Sequence, residues 1–246
     1  MNQSENPYQA TNPYQATWGN LAVSAAADDR ADFIRKTYLH LLGAVVAFIG
    51  LEAILLQMPF TEDLVKLMIG QRYAWLVVML AFVGVSYLAN SWALSAVSPA
   101  KQYLGLGLYV VAEAIIFLPM LLIAERVGPP NVIPMAAVIT GVLFGGLTLV
   151  VYISGADFSW LRGLLTIVGI ASLILVAWAV ISGSNLGIPF SVVMIAFASG
   201  YILYDTSNVM KHYRIGQHVA AALALFAAVA LLFWYVLRLL MQLNRR

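Results

Sequence analysis

Four charged side chains lie inside long apolar segments of the sequence, and His40 adds a titratable group. These residues are the strongest candidates for chemistry: Asp205, Glu113, Glu52, Arg238 and His40. A charge at the centre of a bilayer costs about 3 kcal/mol on insertion scales, so such residues usually face the interior of a helix bundle. Burial disfavours the charged form of a carboxyl group, so a proton could act as a switch at such a site. We therefore predict an ion or proton site around Asp205 and Glu113, with the other three residues as candidate supporting groups. The alternative for each is structural, through a hydrogen bond to a neighbouring helix or, for Arg238, by reaching the membrane surface.

The composition shows what kind of protein must position these groups. Of the 246 residues, 62% are hydrophobic and only 10% are charged, whereas about a quarter of an average soluble domain is charged. This excludes an ordinary soluble enzyme, a disordered chain and a nucleic-acid binder with a basic face. The sequence contains no cysteine, which excludes disulfides, thiolate nucleophiles and metal sites with cysteine ligands.

Seven apolar segments are each long enough to cross a bilayer. Every backbone polar group must be satisfied internally in lipid, so we expect helices. The fold class predicted is an all-α, seven-helix membrane bundle spanning residues 37–240, with predicted spans 37–58, 73–96, 102–124, 132–153, 163–182, 187–210 and 218–240.

Polar termini flank the predicted membrane domain. Residues 1–36 contain the unit Asn-Pro-Tyr-Gln-Ala-Thr twice in succession, at 6–11 and 12–17. A repeat of this composition cannot bury a core, so a flexible N-terminal tail is expected. Residues 241–246 form a short C-terminal tail. Lysine and arginine are more frequent in the loops on the side of the N-terminus, which predicts an N-terminus inside and a C-terminus outside.

Motifs for membrane enzymes are missing from the sequence. The catalytic serine of a rhomboid-like protease lies in a Gly-x-Ser-Gly motif. The nearest match in this sequence is Phe197-Ala198-Ser199-Gly200, in which phenylalanine replaces the first glycine. The three histidines are scattered and form no His-Glu-x-x-His motif. The last span has no lysine for a retinal Schiff base. We expect neither an enzyme nor a bound cofactor or metal.

Several stretches resemble the Bax inhibitor-1 (transmembrane Bax inhibitor motif) family, in its bacterial form. The stretches are Gly200-Tyr201-Ile202-Leu203-Tyr204-Asp205-Thr206, the helix from His218 to Phe226, Leu237-Arg238-Leu239-Leu240, Arg35-Lys36-Thr37-Tyr38, and Asp157-Phe158-Ser159-Trp160-Leu161. Their order and spacing cover nearly everything after residue 33. The Tyr-Asp-Thr element followed by an Ala-Leu-x-Leu helix is the most specific of them.

The resemblance implies six helices around a central last helix, and a pH-sensitive calcium leak. In the family, two aspartates on the last two helices are proposed to share a proton and close the pore. Asp205 matches the first of them, but Ala228 stands where the second is expected. An alanine can neither share a proton nor bind a cation, so the two-aspartate latch cannot form in this chain.

Three hypotheses follow from the missing aspartate. In the first, Glu113 replaces it and pairs with Asp205, which preserves a site for calcium or protons. In the second, the pore is lost and the protein is a non-conducting membrane scaffold. In the third, it modulates a membrane protease, with the Asn-Pro-Tyr tail as the docking element. All three predict a multi-pass protein of the lipid bilayer, and the bacterial resemblance favours the cytoplasmic (inner) membrane.

Overall fold

The computed structural model describes residues 19–71, 73–95 and 98–244. The repeated unit at 6–17 lies outside the described residues. Within them the chain forms one short 3-10 helix, Ala22–Ser24, and the α-helices α1 (Ala27–Leu55), α2 (Thr61–Ile69), α3 (Ala74–Ala93), α4 (Pro99–Val127), α5 (Val132–Ser154), α6 (Leu161–Ser182), α7 (Gly187–Lys211) and α8 (His218–Leu243).

Seven of these helices are long and apolar enough to cross a membrane, which confirms the predicted all-α, multi-pass class. They are α1 and α3 to α8, and each covers one predicted span. The largest difference is at α1, which begins at Ala27, ten residues before the predicted span. Asp28 and Asp29 occupy its first turn, where carboxylates complement the positive end of the helix dipole.

The short helix α2 was not among the predicted elements. Its residues Thr61, Val65 and Met68 are buried, and their spacing places them on one helix face. Glu62 and Asp63 occupy its first turn. The segment is too short to span a bilayer, and its buried side packs on α3 and α4.

The last helix lies at the centre of the bundle. α8 packs against α1, α3, α4, α5 and α7, while α6 packs against α7 and α3. The first turns of α8 contain the run Ala220–Ala222, which is almost fully buried. Small side chains such as these let neighbouring backbones approach closely. α3 and α4 also come close at Gly105, where an added Cβ would lie 2.5 Å from the Ala89 carbonyl oxygen.

Contacts between distant segments define the two ends of the bundle. At the end that we call the His40 end, His40 of α1 lies beside Tyr103 of α4 and His218 at the start of α8. At the opposite end, the Arg238 end, the guanidinium of Arg238 lies 5.7 Å from the ring centroid of Phe190 near the start of α7. The predicted orientation would place the His40 end inside, and it stays a prediction.

Candidate functional site

Three carboxyl groups are buried inside the bundle, each on a different helix. Glu52 of α1, Glu113 of α4 and Asp205 of α7 are only 5%, 6% and 7% exposed. Asp205 lies six residues before the end of α7. It is therefore about 9 Å along the helix from the C-terminus of α7, which is at the His40 end. Glu113 is at the midpoint of α4, and Glu52 is three residues before the end of α1. Glu113 and Glu52 are ten and twelve residues beyond Tyr103 and His40, the pair that marks the His40 end, so both lie deeper in the bundle than Asp205.

Tyrosines surround Asp205. Tyr201 lies one turn earlier on α7, and Tyr213 follows in the loop between α7 and α8; both are close enough to interact electrostatically with the carboxyl group. Loss of solvent around its hydroxyl, and then the neighbouring Asp205, raise the pKa of Tyr213 well above its ordinary value. Tyr213 therefore stays a neutral phenol beside Asp205 at this end of the bundle.

A clasp formed by the loop before α6 holds the end of α7 in place. The backbone N–H of Phe158 donates to Ser207 Oγ at 3.0 Å, and Lys211 Nζ donates to the Gly155 carbonyl at 2.7 Å. Asp157 Oδ2 lies 3.0 Å from His212 Nε2. The backbone N–H of Ser159 also donates to Asp157 at 2.9 Å. This bond is the main reason that the pKa of Asp157 is lowered to about 2, and His212 contributes further.

The N-terminal segment lies across the same end. Gly19 N donates to the Ile215 carbonyl at 3.1 Å, Ile215 N donates to the Asn20 carbonyl at 2.9 Å, and Ala22 N donates to the Tyr213 carbonyl at 2.9 Å. These bonds attach residues 19–22 to the loop that carries Tyr213. The region around Asp205 is thus bounded by the clasp and by this N-terminal segment.

Glu113 has polar neighbours on α3 and α4. Tyr109, one turn earlier on α4, lies beside the Glu113 carboxyl group. The hydroxyl of Ser86 on α3 is close to the Tyr109 phenol. The phenol ring also packs against Phe226 of α8, with centroids 6.1 Å apart. Glu113 is therefore oriented by groups on α3 and α4.

Glu52 differs from the other two carboxyls in its hydrogen bonding. Both of its carboxyl oxygens are buried and have no hydrogen-bond partner among the described residues. Its surroundings are aromatic: the ring of Phe48, one turn earlier on α1, lies 5.2 Å from that of Phe117 and 6.0 Å from that of Phe226.

The structure does not bring the predicted site residues together. In the described part of the chain no hydrogen bond or ion pair joins Glu113 to Asp205, and none joins Arg238 or His40 to a buried carboxyl. Arg238 is half-buried against Phe190, and His40 bonds with Tyr103 at the opposite end. Ala228 is buried on the central helix. Among the described residues, no three His, Asp or Glu side chains lie as they would around a metal ion.

Sequence reasoning did not single out Tyr109, Tyr201, Tyr213 or Ser207 as parts of this site. Tyr109 and Tyr201 each stand four residues before a buried carboxyl, a spacing that places both side chains on one helix face, and this signal could have identified them. Tyr213 and Ser207 gave no such signal, because their partners are distant in the sequence.

The seven-helix bundle with its buried carboxyls was compared with protein families, with curated proteins and with solved structures. No curated protein and no solved structure matches the chain. The family model described as "Inhibitor of apoptosis-promoting Bax1" matches residues 30–245. This range includes the seven described spanning helices, except for the first three residues of α1, and all three buried carboxyls. The chain therefore belongs to the Bax inhibitor-1 family.

Proposed function

We propose that the protein is a proton-sensitive cation leak of the cytoplasmic membrane, with calcium as its cargo and Asp205 as its control site. The observation that carries this proposal is the set of three buried carboxyls, Glu52, Glu113 and Asp205, with no cationic side chain paired to any of them in the described residues. An unpaired charge inside a membrane protein is costly. Each carboxyl therefore needs either a proton or a cation as its partner.

Competition between protons and cations follows from this arrangement. A carboxylate oxygen is a good ligand for calcium, whereas a protonated carboxyl has lost the charge that attracts it. A single carboxyl group gives weak binding, and conduction requires binding sites that an ion can also leave. The proposal therefore assigns Asp205, Glu113 and Glu52 to separate steps and does not need a shared proton between two aspartates.

The aromatic cluster of Phe48, Phe117 and Phe226 supports a closed pathway in this conformation. The ring of Phe48 packs edge to face on the rings of Phe117 and Phe226, and apolar rings inside the bundle exclude water from the path of an ion. Passage would require these rings to separate. Asp205, on the helix that packs most extensively against α8, is the carboxyl placed to couple its ionisation to such a movement.

Calcium entry into proteoliposomes tests the proposal. The purified protein is reconstituted with a calcium-sensitive dye inside the vesicles, and initial rates are compared at pH 6 and pH 8. We expect faster entry at pH 8, where carboxyls lose protons, and entry at the protein-free background at both pH values for Asp205→Asn.

Asp63→Asn is the matched control, because Asp63 is an exposed aspartate on α2. It should behave like the wild type. If the wild type shows no entry at either pH, the protein does not conduct, and the scaffold and protease-modulator hypotheses take its place. If Asp205→Asn keeps the rate and pH dependence of the wild type, the assignment of the control site is wrong.

A further inference from the structure

A groove runs along the lipid-facing side of the bundle between α1 and α4. Its volume is about 460 Å³, and its walls are apolar except at one end. Gly43, Ala47 and Gly107 leave room at its floor, because these residues have little or no side chain. Leu39 and Val111 on the walls are more than 40% exposed. The lining runs from Leu39 to Leu51 on α1 and from Tyr103 to Val111 on α4, a length that suits a hydrocarbon chain.

Polar groups close the groove at the His40 end. His40 Nδ1 lies 2.7 Å from the Lys36 carbonyl oxygen, to which it must donate. In the neutral ring His40 Nε2 then accepts the hydroxyl proton of Tyr103, 3.1 Å away. The ring of His218 lies 4.9 Å from that of His40. Apolar walls therefore give way to hydrogen-bonding groups at this end.

The mouth next to these groups carries positive charge. Arg35 and Lys36 stand one turn before Leu39 and His40, and both pair with the single carboxylate of Asp32 at 2.7 Å. This leaves one net positive charge on that turn of α1. Lys36 is one turn before His40 and so on the same face of α1, and it is close enough to His218 to interact with it electrostatically. Its ammonium group therefore lies at the mouth of the groove.

We propose that this groove binds one anionic phospholipid from the surrounding leaflet. One acyl chain lies along the floor of the groove at Gly43 and Gly107, and the phosphate lies at the mouth near Lys36, His40 and Tyr103. Basic pockets between membrane helices are known to recognise anionic headgroups. The proposal is independent of cation conduction, because none of the three buried carboxyls lines the groove.

Lipid retention measured by native mass spectrometry tests the proposal. The full-length protein in detergent is mixed with phosphatidylglycerol or with phosphatidylcholine that has identical acyl chains. We expect one phosphatidylglycerol retained per protein, and phosphatidylcholine retained at least fivefold more weakly. Equal retention of the two lipids would overturn the charge argument.

Filling the groove gives the sharper comparison. A Cβ added at Gly43 or at Gly107 meets no atom within 4 Å, so the double variant Gly43→Leu, Gly107→Leu should fold and lose the bound lipid. The matched control is Gly84→Leu, Gly141→Leu, because those positions are equally open and lie on α3 and α5, outside the groove. Retention by the groove variant at the level of the control would contradict the proposal.

The headgroup contact is tested by Lys36→Gln, which leaves Arg35 paired with Asp32. The loss of one lysine near an anionic lipid is worth about 1 kcal/mol, so retention of phosphatidylglycerol should fall about fivefold while retention of phosphatidylcholine is unchanged. Lys66→Gln at the Arg238 end is the control and should change the retention of neither lipid.

Glycerol 3-phosphate, which lacks acyl chains, distinguishes a lipid site from a site for a free anion. It should not raise the melting temperature of the protein. Stabilisation equal to that by phosphatidylglycerol would show a site for a free anion instead.

Discussion

The clasp at the end of α7 should depend on one hydroxyl group, that of Ser207. Its side chain is fully buried and accepts the backbone N–H of Phe158 at 3.0 Å. It can also donate to Asp157 Oδ1, but at 3.4 Å that bond is weak. The change Ser207→Ala would leave the Phe158 N–H without its acceptor, and an unsatisfied buried donor costs about 1–3 kcal/mol.

The lower part of this range applies to Ser207→Ala, because the loop around Phe158 is only partly buried and water can reach it. A loss of about 1–2 kcal/mol in the free energy of unfolding lowers the melting temperature of a chain of this length by about 3–6 °C. Thermal denaturation in detergent, followed by tryptophan fluorescence, measures the shift. Faster hydrogen exchange at the Phe158 amide would locate it.

Ser199→Ala is the matched control, since Ser199 is on the same helix but donates only to the Ile195 carbonyl of its own helix. That carbonyl keeps its backbone bond, so the expected change is under about 0.5 kcal/mol. Equal shifts for the two variants, or no shift for Ser207→Ala, would refute the reasoning that this hydroxyl holds the loop on α7.

Two further predictions concern packing and pH. Gly105→Ala should destabilise the protein by about 1–3 kcal/mol, because the new Cβ would meet the backbone of α3. Gly107→Ala should not destabilise it, because a Cβ at that position meets open space. Melting temperatures in the same detergent compare the two variants. The lowered pKa of Asp157, about 2 against an ordinary 3.8, means that its stabilising contribution is complete above pH 3.8 and is lost as the pH falls to about 2. The difference in melting temperature between the wild type and Asp157→Asn should therefore shrink over that range; a constant difference would show that the carboxylate is not the stabilising group.

Sequence patterns predicted the seven spanning helices because each is a long apolar run ended by charged or glycine- and proline-containing breaks. They also identified Glu52, Glu113 and Asp205 as the carboxyls inside the bundle, since charged residues are rare in such runs. α2 was missed because it is short and lies between Pro59 and Gly70 in a segment that also carries charge. Its first-turn carboxylates and the spacing of Thr61, Val65 and Met68 are a signal for an amphipathic helix.

The relative depth of the carboxyls could not be predicted from the sequence. The depth of Glu113 relative to Asp205 depends on how α4 and α7 are aligned against α8, and this alignment comes from tertiary contacts such as that between Tyr109 of α4 and Phe226 of α8. The attachment of Gly19 to Ile215 is a backbone contact between distant residues, for which side-chain patterns carry no information. The expected pair of Glu113 with Asp205 rested on composition alone, which says nothing about depth.

The central claim, that the carboxylate of Asp205 controls cation passage, is tested most directly by calcium entry at pH 8 with two substitutions at this one position. Asp205→Glu keeps the carboxylate and should retain measurable entry, whereas Asp205→Asn keeps the size of the side chain but removes its charge and should reduce entry to the protein-free background. Wild-type entry through Asp205→Asn, reconstituted in equal amount, would contradict the account.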